Sequence, residues 1–446
     1  MKYWTEYKWH EPKLSGTKII YDNNIYTFDI ETSSYLILDN KIYKTSEYNN
    51  MNKKEQERCL FQSIMYVWQF SINDTVYYGR TWQELRAFLS IIDENILDRK
   101  GRKVKKFLFI HNASYEFQFM RNAFKFQDVF SRKSHKVIKC IIDEFNFEIR
   151  CTYYMSNSSL DTLAKNYHFD TQKLLGNLDY SLIRTPKTPL TKEELSYCEN
   201  DCIIVYKYIQ SELDRYIFVK DIPITSTGHV RRDLHNLIDK NYRYRNQVRK
   251  SINVDGHVYN LLNKALSGGY VHSNWVFTNE LLTNIVSLDE TSAYPFVLLT
   301  EEYPSTEFKK RNIKKFEQIL SSQCYLFVIR FYNIESNYYN NIISLSKCSK
   351  IKKFRIDNGR IISADFLEIV LTDVDLEIIR RAYKFKSYEI VESYSSFKSY
   401  LPKEFLEFIL DKYVLKTKLK NVEGEEINYL IEKRKVQFAV WNGCDE

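Results

Sequence analysis

The stretch Tyr26-Thr27-Phe28-Asp29-Ile30-Glu31-Thr32 organises the whole chain. Apolar and β-branched residues lead into two acids spaced two apart, and side chains alternate along a strand, so Asp29 and Glu31 point to one face. Adjacent carboxylates repel unless something neutralises them. A hard divalent cation does so, and oxygen ligands suit Mg²⁺ or Mn²⁺. Solvated acids at a strand end are the ordinary alternative; what weighs against it is that later stretches supply the partners such a site needs.

The chain has 446 residues, 44% of them hydrophobic, enough for a sizeable core; that length corresponds to about three domains. Lys+Arg 65 against Asp+Glu 57 leaves a net charge of +8, which permits a nucleic-acid partner without demanding one. Tyr 35 and Phe 28 are many; rings beside Lys and Arg suit stacking on unpaired bases, although most will fill cores. Gly 11 and Pro 7 argue against long disordered linkers. The eight cysteines form no C-x-x-C pair, so they read as reduced thiols of a cytosolic protein. The charged start Met1-Lys2-Tyr3-Trp4-Thr5-Glu6 is no signal peptide, and no apolar run is long enough to span a bilayer.

In chain order, residues 1–24 form a polar lead-in to the Asp29 strand. Ser63 to Tyr78 reads as a hairpin around Asn73-Asp74. Thr81-x-x-Glu84 is a capping box for a helix Trp82 to Ile92. Lys106 to Ile110 is a buried strand that runs into His111-Asn112-Ala113-Ser114-Tyr115-Glu116. Lys136 to Ile142 and Phe145 to Tyr154 read as a strand pair, Ser159 to Tyr167 as a helix, and Thr191-x-x-Glu194 caps a helix reaching about Tyr216. Strands alternating with helices through residue 216 indicate one α/β domain. Tyr197 and Asp201 lie one helical turn apart on one face, with an ordinary surface pair as the alternative. Taken together, Asp29, Glu31, Glu116, Tyr197 and Asp201 form a carboxylate cluster with one phenol, a set suited to two-metal phosphodiester hydrolysis with Tyr197 orienting the attacking water.

This order, D-x-E, then N-x-x-x-acid (Asn112, Glu116), then Y-x-x-x-D (Tyr197, Asp201), resembles the ribonuclease H-like 3′–5′ proofreading exonuclease domain of family B DNA polymerases. Glu116 departs from the pattern, standing where an Asp is usual. The resemblance implies that Asp29, Glu31, Glu116 and Asp201 hold two Mg²⁺ or Mn²⁺ ions. It also implies that Thr32, Asn112, Tyr115, Ser159, Leu160 and Lys173 contact a single-stranded 3′ end.

Further on, Ser267-Gly268-Gly269-Tyr270 resembles the Y-x-G-G motif that links exonuclease and polymerase regions, with Leu266 in the tyrosine position. Two glycines let backbone approach a phosphate closely; a plain turn is the alternative. Next, delivered by an apolar strand Ile285 to Leu288, comes Asp289-Glu290-Thr291-Ser292-Ala293-Tyr294-Pro295, which is similar to polymerase motif A. By that resemblance Asp289 binds catalytic metal and Gly268 and Gly269 contact DNA. Tyr294 and Lys435 would bind the incoming deoxynucleotide. The motif forms and spacings look like the protein-primed polymerases of phages and linear plasmids. The expected organisation is an exonuclease domain over 1–225, the N-terminal part of a palm over 226–305, an α+β insertion over 306–398 and partial fingers over 399–446. The insertion matches the place where that branch holds its priming terminal protein. Asp373-Val374-Asp375 is not read as a second palm carboxylate motif, because Asp375 opens an amphipathic helix, Leu376 to Tyr383, where an N-terminal acid is expected.

After Lys435 the sequence departs from the family: the K-x-x-x-N-S-x-Y-G pattern is not kept, and the later palm and thumb motifs do not occur. The resemblance spans nearly the whole chain but about two-thirds to three-quarters of a family member. The tail therefore reads as a truncated or frameshifted frame, which puts polymerisation in doubt. The expected partners are single-stranded 3′ ends, primer–template DNA, deoxynucleotides and a terminal protein. The expected setting is a monomer in the cytoplasm of a bacterial host, off the membrane. A stand-alone 3′–5′ exonuclease and a non-enzymatic fragment binding DNA or terminal protein are the competing readings.

Overall fold

The computed structural model describes residues 1–167, 169, 182–240, 246, 254–273, 275–290, 292–338, 341–422, 425, 429, 430, 432, 433, 435 and 436. Lys173, Thr291 and the tail from residue 437 fall outside them. Two compact units form, one of residues 1–232 with 420–431, the other of 233–419 with 432–446.

The first unit is built on a nine-stranded mixed sheet. Its principal strands are β1 (Tyr26–Leu38), β2 (Leu60–Ile72), β3 (Thr75–Gly79), β4 (Lys106–Ile110), β5 (Phe126–Ser131), β6 (Val137–Ile142) and β7 (Phe147–Cys151). Their order is β3-β2-β1-β4-β7-β6-β5, with β1 parallel to β4 and antiparallel to β2. Lys41–Lys44 adds to β1, and Lys2–Tyr3 adds to β3 in parallel. The lead-in is thus tied to the sheet: Asp22 is fully buried and accepts from the backbone of Lys13 and Asn24 at 2.8 and 3.1 Å.

The β2–β3 hairpin turns at Asn73-Asp74, with Asn73 in the left-handed region at φ 53°, a conformation Asn tolerates. Four helices matter to the site: α1 (Trp82–Asn95), α2 (Ser114–Met120), α3 (Leu160–Asn166) and α4 (Lys192–Glu212). Both expected capping boxes are present, Thr81 with Glu84 on α1 and Thr191 with Glu194 on α4. The expected strand Phe145 to Tyr154 ends at Cys151, and Thr152–Ser156 is helical. Its apolar run continues past the last partner residue on β4, Ile110, and a segment with no ladder to join closes its hydrogen bonds locally.

One face of β1 puts Tyr26, Phe28 and Ile30 into the main core with Trp68, Phe70 and Phe88. The opposite face looks toward α4, where Thr27 Oγ1 donates to the Cys202 carbonyl at 3.2 Å. Alternation along one strand therefore sets Asp29 and Glu31 on the helix-covered side. Directly after Glu31 the register with β2 slips: Glu31 opposes Val67 and Thr32 opposes Met65. A bulge there re-aims the side chains that follow the acids.

The second unit carries a six-stranded antiparallel sheet. Its long strands are β8 (Gln323–Ser336), β9 (Cys348–Asp357), β10 (Arg360–Thr372) and β11 (Tyr383–Ser399), in the order β11-β8-β10-β9. Helix α7 (Asp373–Ala382) packs on one face; helix α5 (Gly256–Ala265) packs through Val258, Leu261 and Ala265 against Leu326, Val370 and Tyr394. Among its described residues the unit also holds helices α6 (Ala293–Thr300) and α8 (Lys403–Leu419). The segment Ile285 to Leu288, expected as a strand, is not one: no described residue pairs with it, and Ile285, Val286 and Leu288 stand 68%, 78% and 91% exposed. Strand propensity by itself does not hold an extended segment without a partner ladder. The seven described cysteines are free. Among the described residues no helix is long and apolar enough to cross a membrane.

Candidate active site

Three parts of the chain converge on the first half of β1. Strand β1 brings Asp29, Glu31 and Thr32, the N-terminal turn of α2 brings Tyr115 and Glu116, and the middle of α4 brings Tyr197 and Asp201. All seven line one cleft of about 440 Å³, together with Ser34 and Thr45. Asp29, Glu31 and Asp201 each offer a carboxylate oxygen within 4.8 Å of the others'. Tyr197, Asp201 and Glu31 are buried, and Asp29 is half-buried.

Glu116 is 3% exposed, and its Oε2 has no hydrogen-bond partner among the described residues. Burial first, then the charge of Asp29 and that of Glu31, push its carboxyl far above the usual range. Such surroundings favour the protonated form over the carboxylate unless a cation takes the proton's place. Three carboxylates in ligand reach, with a fourth whose buried Oε2 lacks a hydrogen-bond partner among the described residues, fit a divalent metal centre built from Asp29, Glu31, Glu116 and Asp201.

A sign follows for pH. The folded Glu116 carboxyl lies above its unfolded value, so its contribution to stability is complete in acid and fades as pH rises above the ordinary glutamate value. We expect Glu116→Gln to flatten that decline in the metal-free protein. We also expect metal binding to release about one proton, seen by titration calorimetry in buffers of differing ionisation heat. Identical pH profiles for parent and variant in urea melts would refute the assignment.

The cleft wall is aromatic and hydroxylic. The hydroxyls of Tyr115 and Thr32 are hydrogen-bonded, and burial raises the Tyr115 phenol. Asn112 is exposed and left-handed at φ 60°, and its carbonyl accepts from Tyr115 N at 2.9 Å to start the turn that aims Glu116 inward. Ser159 caps α3 by accepting from Thr162 N at 3.2 Å, while Leu160 packs into the core beneath. Neither of these two lines the cleft.

Arg184 gave no sequence signal. It ties α4 to β1: its backbone N–H donates to Ser33 Oγ at 2.9 Å, and its guanidinium pairs with Glu194 at 2.5 Å. Those partners lie 151 and 10 residues away, so no local pattern could have found them.

In the second unit, a Cβ at Gly269 would stand 3.3 Å from the Tyr294 hydroxyl, so the glycine pair and motif A are neighbours. Ser292, at φ 60°, precedes α6 and receives a hydrogen bond from Lys416 Nζ at 2.9 Å. Asp289 is exposed and belongs to no group of three or more His, Cys, Asp or Glu within ligand reach among the described residues. Lys435 pairs with Asp233 at 3.2 Å and Glu432 at 3.1 Å. Asp373 and Asp375 serve helix α7: Asp375 closes a capping box with Thr372, and Asp373 accepts from Tyr325 N at 2.9 Å.

The family described as DNA polymerase type B, organellar and viral, matches residues 175–434, more than half of the sequence. The chain belongs to the type B DNA polymerases of organelles and viruses. Its fold resembles Phi29 DNA polymerase complexed with primer–template DNA and incoming nucleotides, at 16% identity and a TM-score of 0.66 over 94% of this chain and 67% of that one. Phi29 DNA polymerase complexed with single-stranded DNA matches at 15% identity and a TM-score of 0.63, over 94% and 66%. At such identity the likeness is one of fold, and this type B chain spans about two thirds of the length of those polymerases. No curated protein sequence matches it.

Proposed function

We propose that the first unit of this type B polymerase is a metal-dependent 3′–5′ exonuclease that removes nucleotides from single-stranded DNA ends, as proofreading for a protein-primed polymerase. One observation carries the reading: Asp29, Glu31 and Asp201 present carboxylate oxygens within 4.8 Å of one another in the cleft that also holds Glu116 and Tyr197. Two Mg²⁺ or Mn²⁺ ions held by these acids and Glu116 would lower the pKa of the attacking water and stabilise the departing 3′ oxygen. The Tyr197 hydroxyl, one turn from Asp201, orients that water. The Tyr115–Thr32 pair forms the wall against which the terminal nucleotide lies, and Glu116 would supply the fourth carboxylate for the ions.

The test is a single strand labelled at its 5′ end and incubated in Mg²⁺: the parent protein yields a ladder shortened from the 3′ end, and EDTA stops it. No shortening in Mg²⁺ or Mn²⁺ sinks the proposal. Within that assay Tyr197→Phe is expected to slow excision by about 10²-fold, the low end of what orienting and proton-transferring groups contribute. Its metal affinity should stay unchanged, since only a hydroxyl is lost. A parental rate would return Tyr197 to the status of a packing residue.

The second unit corresponds by its motifs to the palm and to an insertion over residues 306–398, whose partner would be a terminal protein primer. The exposure of Asp289, apart from any acidic cluster among the described residues, favours a second reading in which the 446-residue polypeptide acts as an exonuclease alone. Nucleotide addition uses the same paired-carboxylate logic as hydrolysis. We therefore expect no templated primer extension by this polypeptide in Mg²⁺ or Mn²⁺. Extension that disappears on Asp289→Ala would overturn that expectation.

A further inference from the structure

Behind the carboxylate cleft, on the same face of the sheet, lies a fully buried amide, that of Gln69 on β2. Gln69 stands directly opposite Asp29 in the β1–β2 ladder. Opposed residues of an antiparallel pair project to one face, with Cβ atoms about 4.5–5.5 Å apart. Thr27 and Ser71, the opposed pair two residues along, fix which face it is. Their hydroxyls are 2.6 Å apart, and Thr27 also reaches the Cys202 carbonyl on α4. Gln69 therefore sits beneath α4 beside Asp29, and it does not line the cleft.

Across the sheet Gln69 is flanked by Asp29 on one side and by Tyr78 of β3 on the other. Neither its Oε1 nor its Nε2 has a hydrogen-bond partner among the described residues. The Cys198 thiol of α4 lies alongside: burial first, then the charge of Glu31, push that thiol up, and the Gln69 amide opposes the push. A thiol is a weak donor and a weak acceptor, so it makes up little of what the amide lost on leaving water. Asp29, the strong acceptor beside it, is engaged by the Glu116 carboxyl. A methionine or leucine would occupy the same space without the cost of a buried amide. The metal-free fold thus gives no reason for glutamine here, whereas a loaded site does. Carboxylates that bind metal are themselves held by hydrogen bonds from outside the ligand set, and these fix their orientation.

We propose that Gln69 is a positioning residue of the metal centre, its Nε2 donating to the Asp29 carboxylate when that carboxylate holds a cation. The inference rests on the metal-centre reading of the cleft. It gives Gln69 no contact with DNA or with the ions. Its consequence is a split between two quantities that a packing residue would move together: metal affinity depends on the amide, and the stability of the metal-free fold does not.

The test measures Mn²⁺ binding to the full chain by electron paramagnetic resonance, beside urea melts in EDTA. Gln69→Met is expected to raise the Mn²⁺ dissociation constant by about 10- to 100-fold, the range typical of groups that orient metal ligands. It should melt at the parental urea concentration or above it. Excision of single-stranded DNA by the variant should recover as Mg²⁺ is raised by the same factor. Gln69→Leu repeats the test with a different shape in the core. Ser71→Ala is the control on the same face: it breaks the hydroxyl pair with Thr27, should lower the urea midpoint and should leave Mn²⁺ affinity unchanged. Parental Mn²⁺ affinity in both Gln69 variants overturns the proposal. So does loss of folding, or a clearly lower midpoint, in both, because the amide would then be holding the metal-free fold. An equal loss of affinity in Ser71→Ala makes the effect one of packing and overturns it as well. Failure of the metal-centre reading shows differently, as a parent protein whose Mn²⁺ binding is absent or does not respond to Asp201→Ala.

Discussion

Replacing Asp29 and Glu31 together by alanine is expected to lower Mg²⁺-dependent 3′ excision by about 10³-fold or more while the protein stays folded. The two side chains supply two of the three carboxylates that lie within 4.8 Å of one another, so their loss dismantles the metal centre rather than weakening it. Metal stabilisation of the reacting charges supplies several kcal/mol, and each 1.36 kcal/mol is a factor of ten in rate; forfeiting about 4 kcal/mol gives the stated loss. Stability should hold or rise in the metal-free protein. The variant relieves repulsion around Glu116, whose carboxyl is pushed up partly by these two charges. The measurement pairs the excision rate with a urea melt. A double variant that degrades DNA at the parental rate ends the exonuclease assignment; one that is inactive but unfolded leaves the rate uninformative, and Asp29→Asn then replaces it.

The largest expected effect on stability lies away from the site, at Asp93 on α1. Lys106, at the start of β4, is fully buried with its Nζ 2.6 Å from Asp93 Oδ1 and 3.0 Å from the Val104 carbonyl. Lys103 meets the other carboxylate oxygen of Asp93 at 2.6 Å. Burial lowers the Lys106 ammonium, and Asp93 opposes that shift. Asp93→Ala leaves a lysine in the core without its hydrogen-bonded counter-charge, and breaking a buried pair from one side costs about 3–5 kcal/mol. Asp93→Ala with Lys106→Met removes both charges and should recover most of that loss, because replacing a buried pair by apolar groups is often neutral. Urea midpoints of the three proteins decide it. A single variant within about 1 kcal/mol of the parent would show the pair to be dispensable, against the cost expected for an orphaned buried charge.

Legibility in the sequence followed the range of the forces involved. The shared face of Asp29 and Glu31 needs only strand alternation. The Thr81/Glu84 and Thr191/Glu194 boxes each close within one helical turn, so residue type at fixed spacing is sufficient. The Asn73-Asp74 hairpin and the buried β4 were readable for the same reason. Ile285 to Leu288 shows the limit. Its residues are good strand formers, yet an extended segment is held by a partner, and none of the described residues provides one. The overshoot of β7 into Thr152–Ser156 has the same origin.

By itself, then, the sequence determined which local elements form, where their caps lie and which acids each element carries. Only the tertiary structure decided that β1, α2 and α4 bring Asp29, Glu116 and Asp201 into one cleft, although they are up to 172 residues apart (201 − 29). It also decided that burial and the neighbouring acids push the Glu116 carboxyl upward and that Arg184 ties α4 to β1. The physical reason is that caps, turns and alternation are settled by hydrogen bonds and sterics over a few residues. A shared metal site and a raised carboxyl depend on desolvation and on charges that approach only when distant elements pack.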